Sequence, residues 1–104
     1  MSRVFKALAD PTRRQVLQLL RRGPMTAGDL AEQFKVTKQT MSAHFAVLQA
    51  AELIESEKQG RTITYRLRLS VLEDALLAFA QTVGMQVKRD DESVQSSVPR
   101  TEES

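Results

Sequence analysis

Apolar side chains recur at helical spacing through the first fifty residues of the chain, then alternate, then return to helical spacing. Val4, Phe5, Ala7 and Leu8 share one face of a short opening helix. Asp10 before Pro11 reads as an N-cap and a proline at the first helical position, where the missing N–H costs nothing. The helix they open carries Val16, Leu17, Leu19 and Leu20 on one side and ends at Gly23-Pro24. Thr26, with Asp29 three residues on, resembles a capping box with a shortened acid, and starts a helix that buries Leu30, Ala31 and Phe34 before Val36. Thr37 caps the next segment, Lys38 to Ala51, where Met41, Phe45 and Leu48 form a narrow apolar stripe.

From Leu53 the period falls to two. Residues 53–58 and 61–67 read as a β-hairpin turning at Gln59-Gly60, which places Ile54 opposite Tyr65 and Ser56 opposite Ile63, with Thr62, Thr64 and Arg66 facing outward. Ser70-Val71-Leu72-Glu73 then reads as a capping box for a last helix bearing Leu72, Ala75, Leu76, Phe79, Ala80 and Val83, stopped by Gly84. Residues 85–104 hold few large apolar groups among many charges, so residues 1–84 are expected to form the folded domain and 85–104 an acidic, flexible tail.

This order predicts a mainly α fold with a β-hairpin wing, the winged helix-turn-helix, in which the second helix of the pair enters the DNA major groove. The face of that helix opposite its apolar stripe is polar and small. Lys38 can reach guanine or a phosphate, Gln39 adenine, Ser42 either base, and the Ala43 methyl a thymine methyl; Thr37 and Thr40 flank them. At the hairpin tip, Arg61 suits the adjacent minor groove and Lys58, beside Gln59, a phosphate. An ordinary solvated helix face and a solubilising turn are the alternatives.

Charge distribution sharpens this picture. The net charge of the 104 residues is only +2, yet residues 1–68 hold 12 Lys/Arg against 6 Asp/Glu and the remainder 3 against 7. A basic body of this kind suits a polyanion. The chain has no cysteine, which removes disulfides, thiolate metal sites and thiol nucleophiles. It shows no glycine-rich phosphate loop and no acid paired with histidine, so an enzyme is not expected, and its few aromatics argue against a stacking platform for single strands. No apolar run is long enough for membrane insertion or a secretory signal, which makes the cytoplasm the expected location.

The stretches VFKALADPTRRQVLQLL, MTAGDLAEQF and VTKQTMSAHFAVLQAAELIESEKQGRTITYRL resemble the ArsR-type winged helix repressors, in particular their autorepressor branch, over residues 3 to 84. The resemblance implies a homodimer joined through its first and last helices that represses transcription at a palindromic operator in double-stranded DNA. The residues support a dimer separately: Val4, Phe5 and Leu8 with Leu72, Leu76, Phe79 and Val83 offer more apolar surface than a small domain needs, unless both stripes are internal core.

Many members of that family sense metals through cysteines before the recognition helix or through Asp and His on the last helix. This chain has no such set. Its one histidine, His44, lies on the recognition helix and is expected to pack or hydrogen-bond beside the helix pair, so neither a metal nor a cofactor is implied. Control by a protein partner, or by a small-molecule inducer that masks or reshapes the DNA-binding face, remains the alternative.

Overall fold

The structure, a computed structural model, describes residues 2–85. Helices α1 (Ser2–Leu8), α2 (Pro11–Leu20) and α3 (Ala27–Glu32) are followed by α4 (Lys38–Ala50), strands β2 (Ile54–Gln59) and β3 (Thr62–Leu67), and α5 (Leu69–Thr82); a two-residue strand β1 (Met25–Thr26) precedes α3. The chain divides into two compact units, one ending at Leu72 and the other beginning at Glu73. The expected tail lies, after Met85, outside the described residues.

The helix starts follow from their caps. The Asp10 carboxylate accepts from the backbone N–H of Thr12 at 2.8 Å and of Arg13 at 3.2 Å. Thr26 Oγ1 accepts from Asp29 N at 3.0 Å, and Thr37 Oγ1 from Thr40 N at 3.1 Å. Each oxygen satisfies donors that a helix start leaves orphaned. The last helix departs from expectation: α5 begins at Leu69, so Ser70 lies inside its first turn instead of capping it.

Two helices end on a left-handed residue. Met85 N–H donates to the Ala80 carbonyl and Gly84 N–H to that of Gln81, with Gly84 at φ +80°. The same pair of bonds closes α4, from Leu53 to Leu48 and from Glu52 to Gln49, but the left-handed position there is Glu52 at φ +62°. Glycine takes this conformation without cost and glutamate does not.

In the first unit Val16, Leu30, Met41, Leu48 and Leu53 are fully buried, and the Phe45 and Tyr65 rings meet with centroids 4.7 Å apart. The apolar stripe of α4 is therefore inside, as its spacing predicts. Phe34, expected on α3, falls in the turn after it and is half-buried.

The hairpin exists, but its register differs from expectation by two residues. Ile54 pairs with Leu67, Ser56 with Tyr65 and Lys58 with Ile63, so the turn is Gly60-Arg61 and not Gln59-Gly60. Gly60, at φ +61°, takes the first central position, where a type II′ turn wants glycine. A slip of two residues preserves which face each side chain is on, so Ile54 and Tyr65 are still buried. Strand β3 is central: Met25 pairs with Tyr65 and Thr26 with Thr64, which leaves Thr64 half-buried instead of facing outward.

Candidate nucleic-acid interface

The burial of Met41, Phe45 and Leu48 fixes which side of α4 meets solvent. Thr37, Lys38, Gln39, Thr40, Ser42 and Ala43 are all exposed, gathered on the first two turns. Thr37 also donates its hydroxyl to Thr40 Oγ1 at 3.0 Å. That bond leaves the Thr40 hydroxyl proton free to donate outward.

Two polar ties hold the body of this helix. On one flank Gln49 Nε2 donates to Ser56 Oγ at 3.0 Å, joining α4 to the first wing strand. On the other, Arg13 NH1 lies 3.2 Å from His44 Nδ1. Arg13 is itself anchored, donating through Nε to the Ala7 carbonyl at 2.8 Å and through NH2 to that of Lys6 at 3.0 Å, while Arg14 NH1 donates to the Leu8 carbonyl at 2.7 Å. These bonds cap carbonyls at the end of α1, of which that of Lys6 also accepts from Ala9 N–H at 3.3 Å.

The same cluster acts on Asp10. Desolvation pushes its carboxyl up, but the backbone N–H donors of Arg13 and Thr12 and the charges of His44 and Arg13 outweigh this and hold it below its ordinary value of 3.8.

At the wing tip Lys58, Gln59 and Arg61 are exposed and no ion pair engages either cation among the described residues. Arg66, further from the tip on β3, is different: it pairs with Glu57 at 3.2 Å. The free positive charge of the wing is therefore concentrated at its tip.

The residues expected on a dimer surface separate into groups. Val4 is only 7% exposed and belongs to the core of the first unit, where Phe5 is half-buried. Leu8 and Leu72 line a common apolar cavity of about 220 Å³ with Leu17, Leu67 and Leu69, rimmed by Arg14 and Arg21. On α5, Leu76, Phe79 and Val83 are 44%, 47% and 53% exposed, and together with Leu69 and Leu72 they follow the alternating three- and four-residue steps of a helix-pairing seam.

Sequence reasoning expected His44 to pack or hydrogen-bond beside the helix pair but did not name its partner Arg13, and it missed the Gln49–Ser56 tie. Gln49–Ser56 leaves no local signal. Arg13 and Arg14 leave one: two cations in the first turn of a helix oppose its dipole, a local conflict that points to partners elsewhere. No group of three potential metal-ligating side chains occurs among the described residues, and none of their helices is long and apolar enough to cross a membrane.

Known proteins similar to this chain are helix-turn-helix regulators. Residues 8–57 match a helix-turn-helix domain family. Transcriptional repressor SdpR of Bacillus subtilis (strain 168) is 47% identical over 76 residues, spanning 73% of this chain and 84% of that protein. The arsenical resistance operon repressor of Staphylococcus aureus is 34% identical over 76 residues, 73% of each chain. Among solved structures, an ArsR family transcriptional regulator superposes with a TM-score of 0.70 at 37% identity, covering 79% of this chain and 87% of that one. A homodimeric winged helix-turn-helix DNA-binding domain from Mycobacterium bovis gives 0.62 at 25% identity, covering 85% and 86%. With identity above 30% over more than two thirds of its length and a superposable fold, the chain belongs to the ArsR family of winged helix-turn-helix transcriptional regulators.

Proposed function

We propose that this protein is a transcriptional repressor that binds a palindromic operator in double-stranded DNA as a homodimer, acts in the cytoplasm, and takes no metal as its effector. The observation that carries the reading is the exposed face of α4, Thr37 to Ala43, held between Arg13 on one flank and Ser56 on the other. Such a face fits a groove roughly 12 Å wide, where Lys38, Gln39 and Ser42 meet base edges. Lys58, Gln59 and Arg61 then engage the neighbouring backbone and minor groove.

The α5 seam supplies the dimer surface, since half-exposed Leu76, Phe79 and Val83 gain by pairing with a second copy. Relatives support both halves of this reading: one is named a transcriptional repressor and another is described as homodimeric. Arsenical repressors are also among the relatives, but this chain lacks cysteine altogether and has a single histidine, too few N or S ligands for a zinc site. Zinc and arsenite are therefore expected to leave DNA binding unchanged.

The apolar cavity bounded by Leu8, Leu17, Leu67, Leu69 and Leu72 favours a second layer of control, a small apolar effector. Fluorescence anisotropy with the DNA upstream of the coding sequence, against a random duplex at two salt concentrations, tests the main reading. Site-selective binding supports it. Weak, equal binding to both duplexes that vanishes with salt contradicts it at that locus.

A further inference from the structure

Arginine offers hydrogen-bond donors only. In the neutral ring His44 Nδ1, 3.2 Å from Arg13 NH1, is therefore the accepting nitrogen, and the proton sits on Nε2. The guanidinium cannot swing away without giving up the Ala7 and Lys6 carbonyls at the end of α1, so ring and tautomer are fixed together. No group among the described residues takes up Nε2–H, and His44 is only half-buried.

Position on the helix shows what that donor can meet. At about 100° per residue, His44 stands about 140° around α4 from Gln49, on the other side of the buried stripe. Thr40, one turn earlier on the same flank, is exposed and its hydroxyl proton is free. When a helix lies in the major groove its outer face meets base edges and its flanks meet the phosphate walls. Two donors aligned along one flank match that wall.

Building on the operator reading above, we propose that His44 contacts the DNA backbone, donating Nε2–H to a phosphate oxygen, and that Arg13 is the positioning residue that sets its tautomer and orientation. His44 thereby gains a role beyond packing beside the helix pair. Arg13 ties the end of α1 to the side of the recognition helix.

Long-range proton–nitrogen NMR of the free wild-type protein at pH 8 reads the tautomer without DNA. The Nε2–H form is expected, giving way to a mixture in Arg13→Gln; an Nδ1–H ring, or no change in Arg13→Gln, overturns the positioning role. For the contact, His44→Asn keeps an acceptor near Nδ1 for Arg13 and removes the Nε2–H donor. Its affinity should fall about tenfold for the upstream DNA and for a random duplex alike, with an unchanged melting curve. Unchanged affinity, or a loss confined to one sequence, overturns the phosphate contact alone. Wild-type protein that binds no duplex overturns the operator reading and the contact with it.

Discussion

Replacing Leu76 and Phe79 together by alanine should convert the dimer into a monomer at micromolar concentration. The two side chains are 44% and 47% exposed on α5. Full burial of a leucine or phenylalanine is worth about 1.5–3 kcal/mol, so pairing α5 with a second copy gains about 1 kcal/mol from the exposed half of each. Two residues on two protomers give about 4 kcal/mol, or roughly three decades in dissociation constant. Sedimentation equilibrium measures that constant directly. The far-UV spectrum should be retained, and binding to an inverted repeat should fall with the dimer, because two half-sites are held only by two recognition helices. A double variant with the wild-type dissociation constant would refute the assignment of the α5 seam.

Other consequences concern single residues. Gln39→Ala should alter preference at particular base pairs, whereas Arg61→Ala should weaken binding to every duplex and lower the salt dependence; competition binding on a set of duplexes at two salt concentrations separates them. Glu52→Gly should stabilise the fold by about 0.5–1 kcal/mol, since glycine removes the left-handed strain and gives back only part of it in chain entropy. The Glu52–Arg68 pair lost in that variant is 3.8 Å long and solvent-exposed, and so contributes little; thermal melting should show a rise of a few degrees. Asp10 has a lowered carboxyl, so its stabilising effect is complete above the ordinary value of 3.8 and disappears as pH falls through the lower folded value. In Asp10→Asn that part of the acid unfolding profile should flatten.

The residues differ in how openly they announced their roles. The caps at Asp10, Thr26 and Thr37 were legible because a cap is a contact between a side chain and a backbone two or three residues away. The exposed polar face of α4 was legible for a similar reason: the Met41, Phe45 and Leu48 stripe decides what the opposite side presents. The hairpin was legible in kind but not in register, because Gly60 fits a turn as its second central residue or its first, and only the pairing chooses. Strand β1 is two residues long, too short for any alternation to show.

For contacts distant in sequence the partners were not legible. Arg13 meets His44 across 31 positions, and Gln49 reaches Ser56 only because the chain reverses at Glu52. Val4 carries the same helical spacing whether it faces a second copy or its own core, and the fold put it in the core.

Selection from a pool of random duplexes tests most directly whether the exposed face of α4, presented in pairs, reads DNA. The wild-type protein should enrich an inverted repeat with half-site centres about 10 base pairs apart, and the Gln39→Ala protein should enrich a repeat altered at defined positions. No enrichment, a single unpaired site, or the same repeat returned by both proteins would contradict the account.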